Sequence, residues 1–301
     1  MELKMLQITK DYKEVRAVNN ISYTFTNGVY GLLGVNGAGK TTLMRILCTL
    51  LKPTSGSVLW DGKEIFAMDG EYRRLLGYLP QDFGFYPEFT VSDYLKYIAS
   101  IKGLRPAAAK SKAELLLGQV GLQEVKNKKM KKLSGGMKRR AGIAQAMLNN
   151  PKILILDEPT AGLDPNERIR FRNLISELAQ ERIVVLSTHI VSDIEYIANE
   201  ILLMKTGQIA LSGTAEELVH SMPERVWSLE APREMVDVYL KNYKVSNIKA
   251  VHGGAQIRVL AREKPAEHAN LEAAALEDVF LYYFGEKVGE EETGYIGERR
   301  V

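Results

Sequence analysis

The feature that most constrains this chain is a glycine-rich segment near its N-terminus. Residues 34–41 have the sequence GVNGAGKT and fit the pattern G-x-x-x-x-G-K-[ST] at every fixed position. A short apolar run precedes the segment, and an amphipathic helical pattern over residues 41–50 follows it. A strand, a glycine-rich turn and a helix in this order form a phosphate cradle, because backbone N–H groups converge on the anion at the positive end of the helix. We expect Lys40 to reach the β- and γ-phosphates of a nucleotide, and the Thr41 hydroxyl to ligate Mg²⁺.

Two carboxylates follow an uninterrupted apolar run at residues 153–156. The run predicts a fully buried strand of a parallel sheet, and the C-terminal ends of such strands are where ligands bind. Asp157 can hold Mg²⁺ through a water molecule, and Glu158 can act as general base for an attacking water. A second apolar run, residues 183–186, ends in Ser-Thr-His, so His189 could contact the γ-phosphate. The alternatives are an acidic helix N-terminus for the carboxylates and a hydrogen-bonded turn residue for the histidine.

A second anion site is predicted where Ser134, Gly135 and Gly136 precede a helical pattern that runs to about residue 148. Serine is a good N-cap residue, and the two glycines leave the unpaired N–H groups of a helix start uncovered. Gln81 follows a short predicted strand and could complete the shell of Mg²⁺ and water, although a single glutamine has no meaning by itself.

The 301 residues suffice for one large α/β domain and a smaller second domain. The periodicity is helical over residues 91–125, with no strand signal, which indicates a helical subdomain. We expect these parts: an ATP-binding domain, 1–222; its helical subdomain, about 84–150; an accessory α+β domain, 223–285; and a charged, glycine-rich mobile tail, 286–301. In the accessory domain the patterns predict strands at 226–230 and 257–261 and helices at 233–243 and 271–284.

Composition excludes several classes of protein. The chain is 46% hydrophobic and 26% charged, as in ordinary globular proteins, and its net charge of +3 does not favour nucleic-acid binding. The single cysteine, Cys48, cannot form an internal disulfide and fits a reducing compartment. No apolar run approaches the ~18 residues that span a bilayer, and the N-terminus has no signal-peptide core. We therefore expect any role at a membrane to depend on a partner.

Taken together and in this order, the segments resemble the ATP-binding subunit of an ABC transporter over roughly residues 2–222. The matching segments are Walker A at 34–41, the Q-loop at Gln81, the signature at 133–137, Walker B with its catalytic glutamate at 153–158, the D-loop at 161–164 and the switch histidine at His189. Tyr12 falls where the family has an adenine-stacking aromatic residue, which overrides its simpler interpretation as an exposed turn tyrosine. The resemblance implies a P-loop NTPase α/β fold: a mostly parallel core sheet, an antiparallel β portion, a helical subdomain and here a small C-terminal α+β appendage.

The resemblance also implies ATP and Mg²⁺ as cofactors. It assigns catalytic roles to Glu158, His189 and Lys40, and metal ligation to Thr41, Gln81 and Asp157. Nucleotide contacts are expected from Tyr12, Gly34, Asn36, Gly37, Ala38, Gly39, Lys40, Thr41, Thr42, Gln81, Ser134, Gly135, Gly136 and Asp164. One departure is Met137, which stands where the common signature has glutamine and whose thioether cannot replace the hydrogen bonds of an amide.

For partners, the resemblance implies a head-to-tail dimer with a second copy or a paralogous subunit, which sandwiches two ATP molecules. A transmembrane permease subunit would hold the chain at the cytoplasmic face of the membrane, and no nucleic acid is expected. The helical segment should dock on that permease; the candidate contact residues, which could also be ordinary exposed loop residues, are Asp82, Phe83, Tyr86 and Glu88. Residues 276–282 resemble a C-terminal helix of drug, antibiotic-peptide and sodium exporters, which favours export.

Two other functions remain open at this point. A soluble ABC protein acting on ribosomes or DNA is disfavoured, because the chain has one cassette, no sustained heptads between Thr41 and Asp157, and a small net charge. A non-hydrolysing regulatory module is disfavoured by the presence of Glu158 and His189.

Overall fold

The computed structural model describes residues 1–285, so the expected mobile tail at 286–301 lies outside the described residues. The chain divides into two compact units, the first ending at Thr214 and the second beginning at Ala215. The sequence predicts this boundary near residue 222, at the end of a short helix; the contacts instead group that helix with the second unit. Within residues 1–285, no helix combines the length and the apolar character that crossing a bilayer requires.

The first unit is an α/β structure with two sheets. Its elements are β1 (Leu3–Tyr12), β2 (Val15–Phe25), β3 (Gly28–Leu33), α1 (Lys40–Leu47), β4 (Ser55–Trp60), β5 (Lys63–Glu64), α2 (Ile65–Met68), α3 (Gly70–Leu75), β6 (Leu76–Leu79), α4 (Val91–Ile101), α5 (Pro106–Gln119), α6 (Gly135–Ala146), β7 (Ile153–Leu156), α7 (Pro165–Leu178), β8 (Ile183–Thr188), β9 (Glu200–Lys205) and β10 (Gln208–Gly213).

The larger sheet has the strand order β10-β9-β3-β8-β7-β6. All of its strand pairs are parallel except the hairpin of β9 and β10. Every residue of β7 and β8 is buried, as expected for central strands of a parallel sheet that is covered on both faces. Because β3, β8 and β7 are parallel neighbours, their C-terminal ends lie along one edge, where the glycine-rich loop, His189 and the two carboxylates follow them.

The smaller sheet is antiparallel, with the order β2-β1-β4-β5. One hydrophobic cluster joins it to the large sheet and to α1, with members such as Met5, Val58, Met44 and Val185. Residues 91–125 contain α4, α5 and a short 3₁₀ turn and no strand, in agreement with their helical periodicity. The predicted α/β class, with a mostly parallel sheet, an antiparallel portion and helices, is confirmed.

The second unit is built around an antiparallel sheet of order β12-β13-β11-β14. Its elements are α8 (Ala215–His220), β11 (Arg225–Pro232), α9 (Val236–Asn242), β12 (Lys244–Val251), β13 (Gly254–Ala261), β14 (Asn270–Glu272) and α10 (Leu276–Phe284). The predicted helix over 271–284 is wrong in its first part. Residues 270–272 pair with β11, and the helix begins only at Leu276, where the Asp278 carboxylate accepts a hydrogen bond from the Ala275 N–H at 2.8 Å.

Candidate functional site

The glycine-rich loop connects β3 to α1 and approaches other backbone segments too closely for side chains. A Cβ at Gly34 would lie 2.4 Å from the Met204 carbonyl oxygen, and one at Gly39 would lie 2.1 Å from that of Ala17. Gly39 also has a φ of +100°, in the region that favours glycine. Both glycines are therefore required by the path of the loop, which leaves its N–H groups uncovered at the start of α1.

Lys40 begins α1 and is almost entirely buried. Its Nζ donates to the carbonyl oxygens of Gly34 at 2.6 Å and Val35 at 3.1 Å, and lies 3.7 Å from Glu158 Oε1. Burial lowers the pKa of Lys40, and the nearby Glu158 and Asp157 carboxylates oppose that shift. The ammonium group is thus held inside the loop, where an anion would meet it.

Asp157 and Thr41 are brought together across the sheet. The Thr41 hydroxyl donates to Asp157 Oδ1 at 3.3 Å, and Asp157 is 1% exposed. Mg²⁺ takes oxygen ligands, usually one or two carboxylates together with substrate phosphates. A hydroxyl and a carboxylate side by side at the start of a phosphate-binding helix fit that requirement, so these residues are suited to hold the ion.

Glu158 occupies an unusual backbone position two residues after the end of β7. Its φ of +45° is in the left-handed region, which costs a non-glycine residue roughly 1–3 kcal/mol unless the surroundings hold it. Its N–H donates to Ser187 Oγ at 2.9 Å, and its Oε2 lies 3.0 Å from His189 Nδ1. Its Oε1 is buried without a hydrogen-bond partner and faces Lys40.

His189 follows β8 and is 46% exposed at its side chain. Because a carboxylate only accepts hydrogen bonds, the contact with Glu158 places the imidazole proton on Nδ1. The other ring nitrogen, Nε2, is then free to take a second partner.

The glycine-rich loop is also joined to the end of β8 by a backbone hydrogen bond. The Gly34 N–H donates to the carbonyl of Thr188, the residue before His189, at 3.3 Å.

These groups surround one cavity of about 250 Å³. It is lined by Ala17, Asn36, Gly37, Ala38, Gly39, Lys40, Thr41, Thr42, Gln81, Glu158, Ala161 and His189. The structure therefore brings most of the predicted phosphate and catalytic residues to one place. It adds Ala161, the first residue of the predicted D-loop, and Ala17, which the sequence did not single out.

Seven predicted site residues do not line this cavity. Two of them are still next to lining residues: Gly34 accepts a hydrogen bond from Lys40, and Asp157 accepts one from Thr41. Ser134 is the exposed N-cap of α6, where its Oγ accepts the Met137 N–H at 3.2 Å, and Gly135 and Gly136 form the first turn. Asp164 caps α7 by accepting the Glu167 N–H at 2.9 Å. Tyr12 ends β1 with 43% exposure, and Lys10 Nζ lies 5.5 Å from its ring centroid.

Ser187 is a residue whose role sequence reasoning missed. Its hydroxyl is fully buried, accepts the Glu158 N–H at 2.9 Å and donates to Asp157 Oδ1 at 2.6 Å. One side chain on β8 therefore holds both the Asp157 carboxylate and the backbone of Glu158. The available signal was a polar residue at the end of an apolar strand, next to a predicted site histidine.

Comparisons with known proteins agree with this geometry. The ABC transporter family matches residues 18–161. The uncharacterised ABC transporter ATP-binding protein YxlF of Bacillus subtilis is 38% identical over 234 residues, which cover 77% of this chain and 78% of YxlF. The bacitracin transport ATP-binding protein BcrA of Bacillus licheniformis is 39% identical over 210 residues, covering 69% of this chain and 68% of BcrA.

Among solved structures, the dimeric bacterial ABC transporter cassette MJ0796 is similar in fold and sequence. It is 26% identical, with a TM-score of 0.64, and the match covers 70% of this chain and 98% of the cassette. A second structure of that cassette, also dimeric, is a post-hydrolysis state bound to ADP and phosphate. The chain belongs to the ATP-binding proteins of ABC transporters and is an ATPase.

Proposed function

We propose that ATP is hydrolysed in the cavity beside the glycine-rich loop, with Glu158 as the general base. The observation that carries this proposal is the state of Glu158 Oε1, which is buried, has no hydrogen-bond partner and lies 3.7 Å from Lys40 Nζ. A carboxylate oxygen without a hydrogen-bond partner, next to a phosphate-binding lysine, is suited to accept a proton from water.

The other residues of the cavity bind the phosphates, orient Glu158 and hold Mg²⁺. The loop N–H groups and Lys40 bind the phosphates, since Lys40 can exchange its carbonyl partners for phosphate oxygens. His189 orients Glu158 through Nδ1 and offers Nε2 to the γ-phosphate. Thr41, Asp157 and Gln81 would hold Mg²⁺, which supplies positive charge to the β- and γ-phosphate oxygens.

We further propose that the active unit is a head-to-tail dimer, formed with a second copy or a paralogous subunit. Ser134, Gly135 and Gly136 lie outside the cavity, so on this proposal they bind the γ-phosphate held by the partner chain. The first turn of α6 suits that task because its N–H groups lack intrahelical partners. The dimeric state of the MJ0796 cassette supports this arrangement.

We propose that the dimer lies at the cytoplasmic face of the membrane and drives export through a separate permease. Support comes from the bacitracin transport role in the name of BcrA. Of the four proposed permease contacts, Tyr86 is 46% exposed, whereas Glu88 already pairs with Lys129 at 2.9 Å and Lys131 at 2.5 Å. The Glu88 side chain is 61% exposed despite these pairs, so both residues remain accessible to a permease.

The test is the ATPase rate of the purified chain with Glu158→Gln. Losing a general base should reduce kcat by roughly 10²–10⁴-fold. Glu114→Gln is the matched control, because Glu114 pairs with Lys126 on the helical segment, outside the cavity. If Glu158→Gln hydrolyses ATP at the rate of the parent or the control, the assignment of the base is wrong.

The dimer has its own test in the same variant. Because Glu158→Gln should bind ATP without hydrolysing it, we expect a dimer in gel filtration with Mg-free ATP and a monomer without nucleotide. A monomer under both conditions would count against the head-to-tail sandwich.

A further inference from the structure

Arg139 is a buried arginine on α6 whose guanidinium, among the described residues, donates hydrogen bonds to backbone oxygens only. Nε donates to the Pro159 carbonyl at 2.9 Å, and Nη1 donates to those of Pro80 at 3.2 Å and Gln81 at 2.6 Å. Nη2 donates to the carbonyls of Asp157, at 3.3 Å, and Glu158. The five carbonyl oxygens use all three guanidinium nitrogens.

These contacts join three separate segments of the chain. Pro80 and Gln81 follow β6, whereas Asp157, Glu158 and Pro159 follow the neighbouring parallel strand β7. Arg139 itself lies on the helix that begins after Ser134. One side chain therefore spans the exits of two strands and connects both of them to α6.

The charge of Arg139 has no paired carboxylate within residues 1–285 at ion-pair distance. Burial lowers its pKa, and the more distant charges of Asp157, Asp82 and Glu158 oppose that shift. A buried cation that is satisfied by carbonyl oxygens holds those oxygens strongly, because charge-assisted hydrogen bonds are roughly twice as strong as neutral ones. A lysine cannot do the same, since a single ammonium group does not form the planar fork that reaches three directions.

The hydrogen bonds of Arg139 stabilise an unfavourable backbone conformation at Glu158. Its φ of +45° persists only if the surrounding structure holds it, and Arg139 binds the carbonyls immediately before, at and after that residue. Arg139 also binds the carbonyl of Gln81, which lines the cavity from the exit of β6.

We propose that Arg139 is a positioning residue that sets Glu158 and Gln81 for hydrolysis and ties them to the signature helix α6. The proposal rests on the roles proposed above for these two residues. Arg139 thereby connects two parts of the proposed mechanism. One is α6, whose N-terminus is to bind the partner's ATP, and the other is Glu158, which activates water in this chain's own site.

The test compares Arg139→Met with Arg182→Met in the full-length chain. Arg182 is a matched control: it also donates to backbone oxygens, those of Pro151 at 3.0 Å and Leu178 at 2.6 Å, but it precedes β8 at the opposite edge of the sheet. A displacement of about 1 Å in a catalytic group can cost roughly 100-fold in rate. We expect kcat to fall about 100-fold in Arg139→Met, with KM for ATP within about threefold of the parent, because the phosphate cradle is untouched.

Two further variants separate positioning from general destabilisation. Arg139→Lys keeps the charge but not the fork, so kcat should stay at least about tenfold below that of the parent. In a Glu158→Gln background, Arg139→Met should lower the residual rate by less than about threefold, because both changes act on the same step. If Arg139→Met does not fold, Arg139→Lys is compared with Arg182→Met instead.

A kcat within twofold of the parent for folded Arg139→Met or Arg139→Lys would overturn the inference. An equal loss in Arg182→Met, or a full 100-fold further loss in the Glu158→Gln background, would overturn it too. The proposed function fails by a different result, a Glu158→Gln variant that hydrolyses ATP normally, so the two failures are distinguishable.

Discussion

Replacing Ser187 by alanine should damage both stability and metal use, because its buried hydroxyl holds two groups of the site. The substitution leaves the Glu158 N–H without its acceptor, which costs about 1–3 kcal/mol, and removes a hydrogen bond to the Asp157 carboxylate, worth about 1.5–3 kcal/mol. The two terms share one hydroxyl and do not simply add, so we expect a loss of about 3 kcal/mol in the free energy of unfolding of the first unit. Since Ser187 orients a proposed metal ligand, the Mg²⁺ concentration for half-maximal ATPase activity should rise at least about tenfold.

The assay uses urea unfolding followed by the fluorescence of Trp60, in a Trp227→Phe background. Trp60 lies in the first unit and Trp227 in the second, so this background reports the first unit alone. Thr188→Val is the matched control, because the Thr188 hydroxyl is also buried but bonds the Ile190 N–H at 3.0 Å and not the carboxylates after β7. A Ser187→Ala loss below about 1 kcal/mol, or a Mg²⁺ dependence equal to that of the control, would contradict this role of Ser187.

Two further predictions concern the nucleotide base and the second unit. Tyr12→Ala should weaken ATP binding by roughly tenfold, since base–aromatic stacking is worth about 1–3 kcal/mol, whereas Tyr12→Phe should leave the affinity unchanged. Calorimetric titration with ATP measures both affinities, and an unchanged affinity in Tyr12→Ala would contradict the prediction. Arg258→Met should destabilise the second unit by about 3 kcal/mol, because it leaves the buried Asp278 carboxylate without the guanidinium at 2.8 Å. Trp227 fluorescence in a Trp60→Phe background measures that loss, and a change below about 1 kcal/mol would disagree with it.

Much of the site could be predicted because its parts follow buried parallel strands. The apolar runs of β7 and β8 have clear ends, and parallel neighbours bring those ends to one edge. Asp157, Glu158 and His189 are therefore placed near the glycine-rich loop by strand order alone. The roles assigned to Tyr12 and to the Ser134 helix stay predictions, since neither lines the cavity in this chain.

Side-chain networks could not be predicted in the same way. The contacts of Ser187 and Arg139 depend on which residue faces which across β7, β8 and α6, and residue spacing within one segment does not contain that information. In the second unit, β12 was missed because most of its residues are exposed and give no alternating apolar pattern. The strand at 270–272 was missed because three residues at a sheet edge are too short to interrupt a helical pattern.

On the head-to-tail proposal, a second copy of the chain completes each ATP site. Lys40→Met should disable the phosphate cradle but leave the signature helix intact, whereas Ser134→Glu should do the reverse by repelling the partner's γ-phosphate. Each variant alone should be nearly inactive. In an equal mixture, half of the dimers pair one variant with the other, and each of these has one site with both halves intact.

The most direct measurement is therefore the ATPase rate of that mixture after subunit exchange. The head-to-tail arrangement predicts recovery to about one quarter of the parent's rate, because one of the two sites is restored in half of the dimers. A mixture as inactive as either variant, or a Ser134→Glu variant that is fully active by itself, would contradict it.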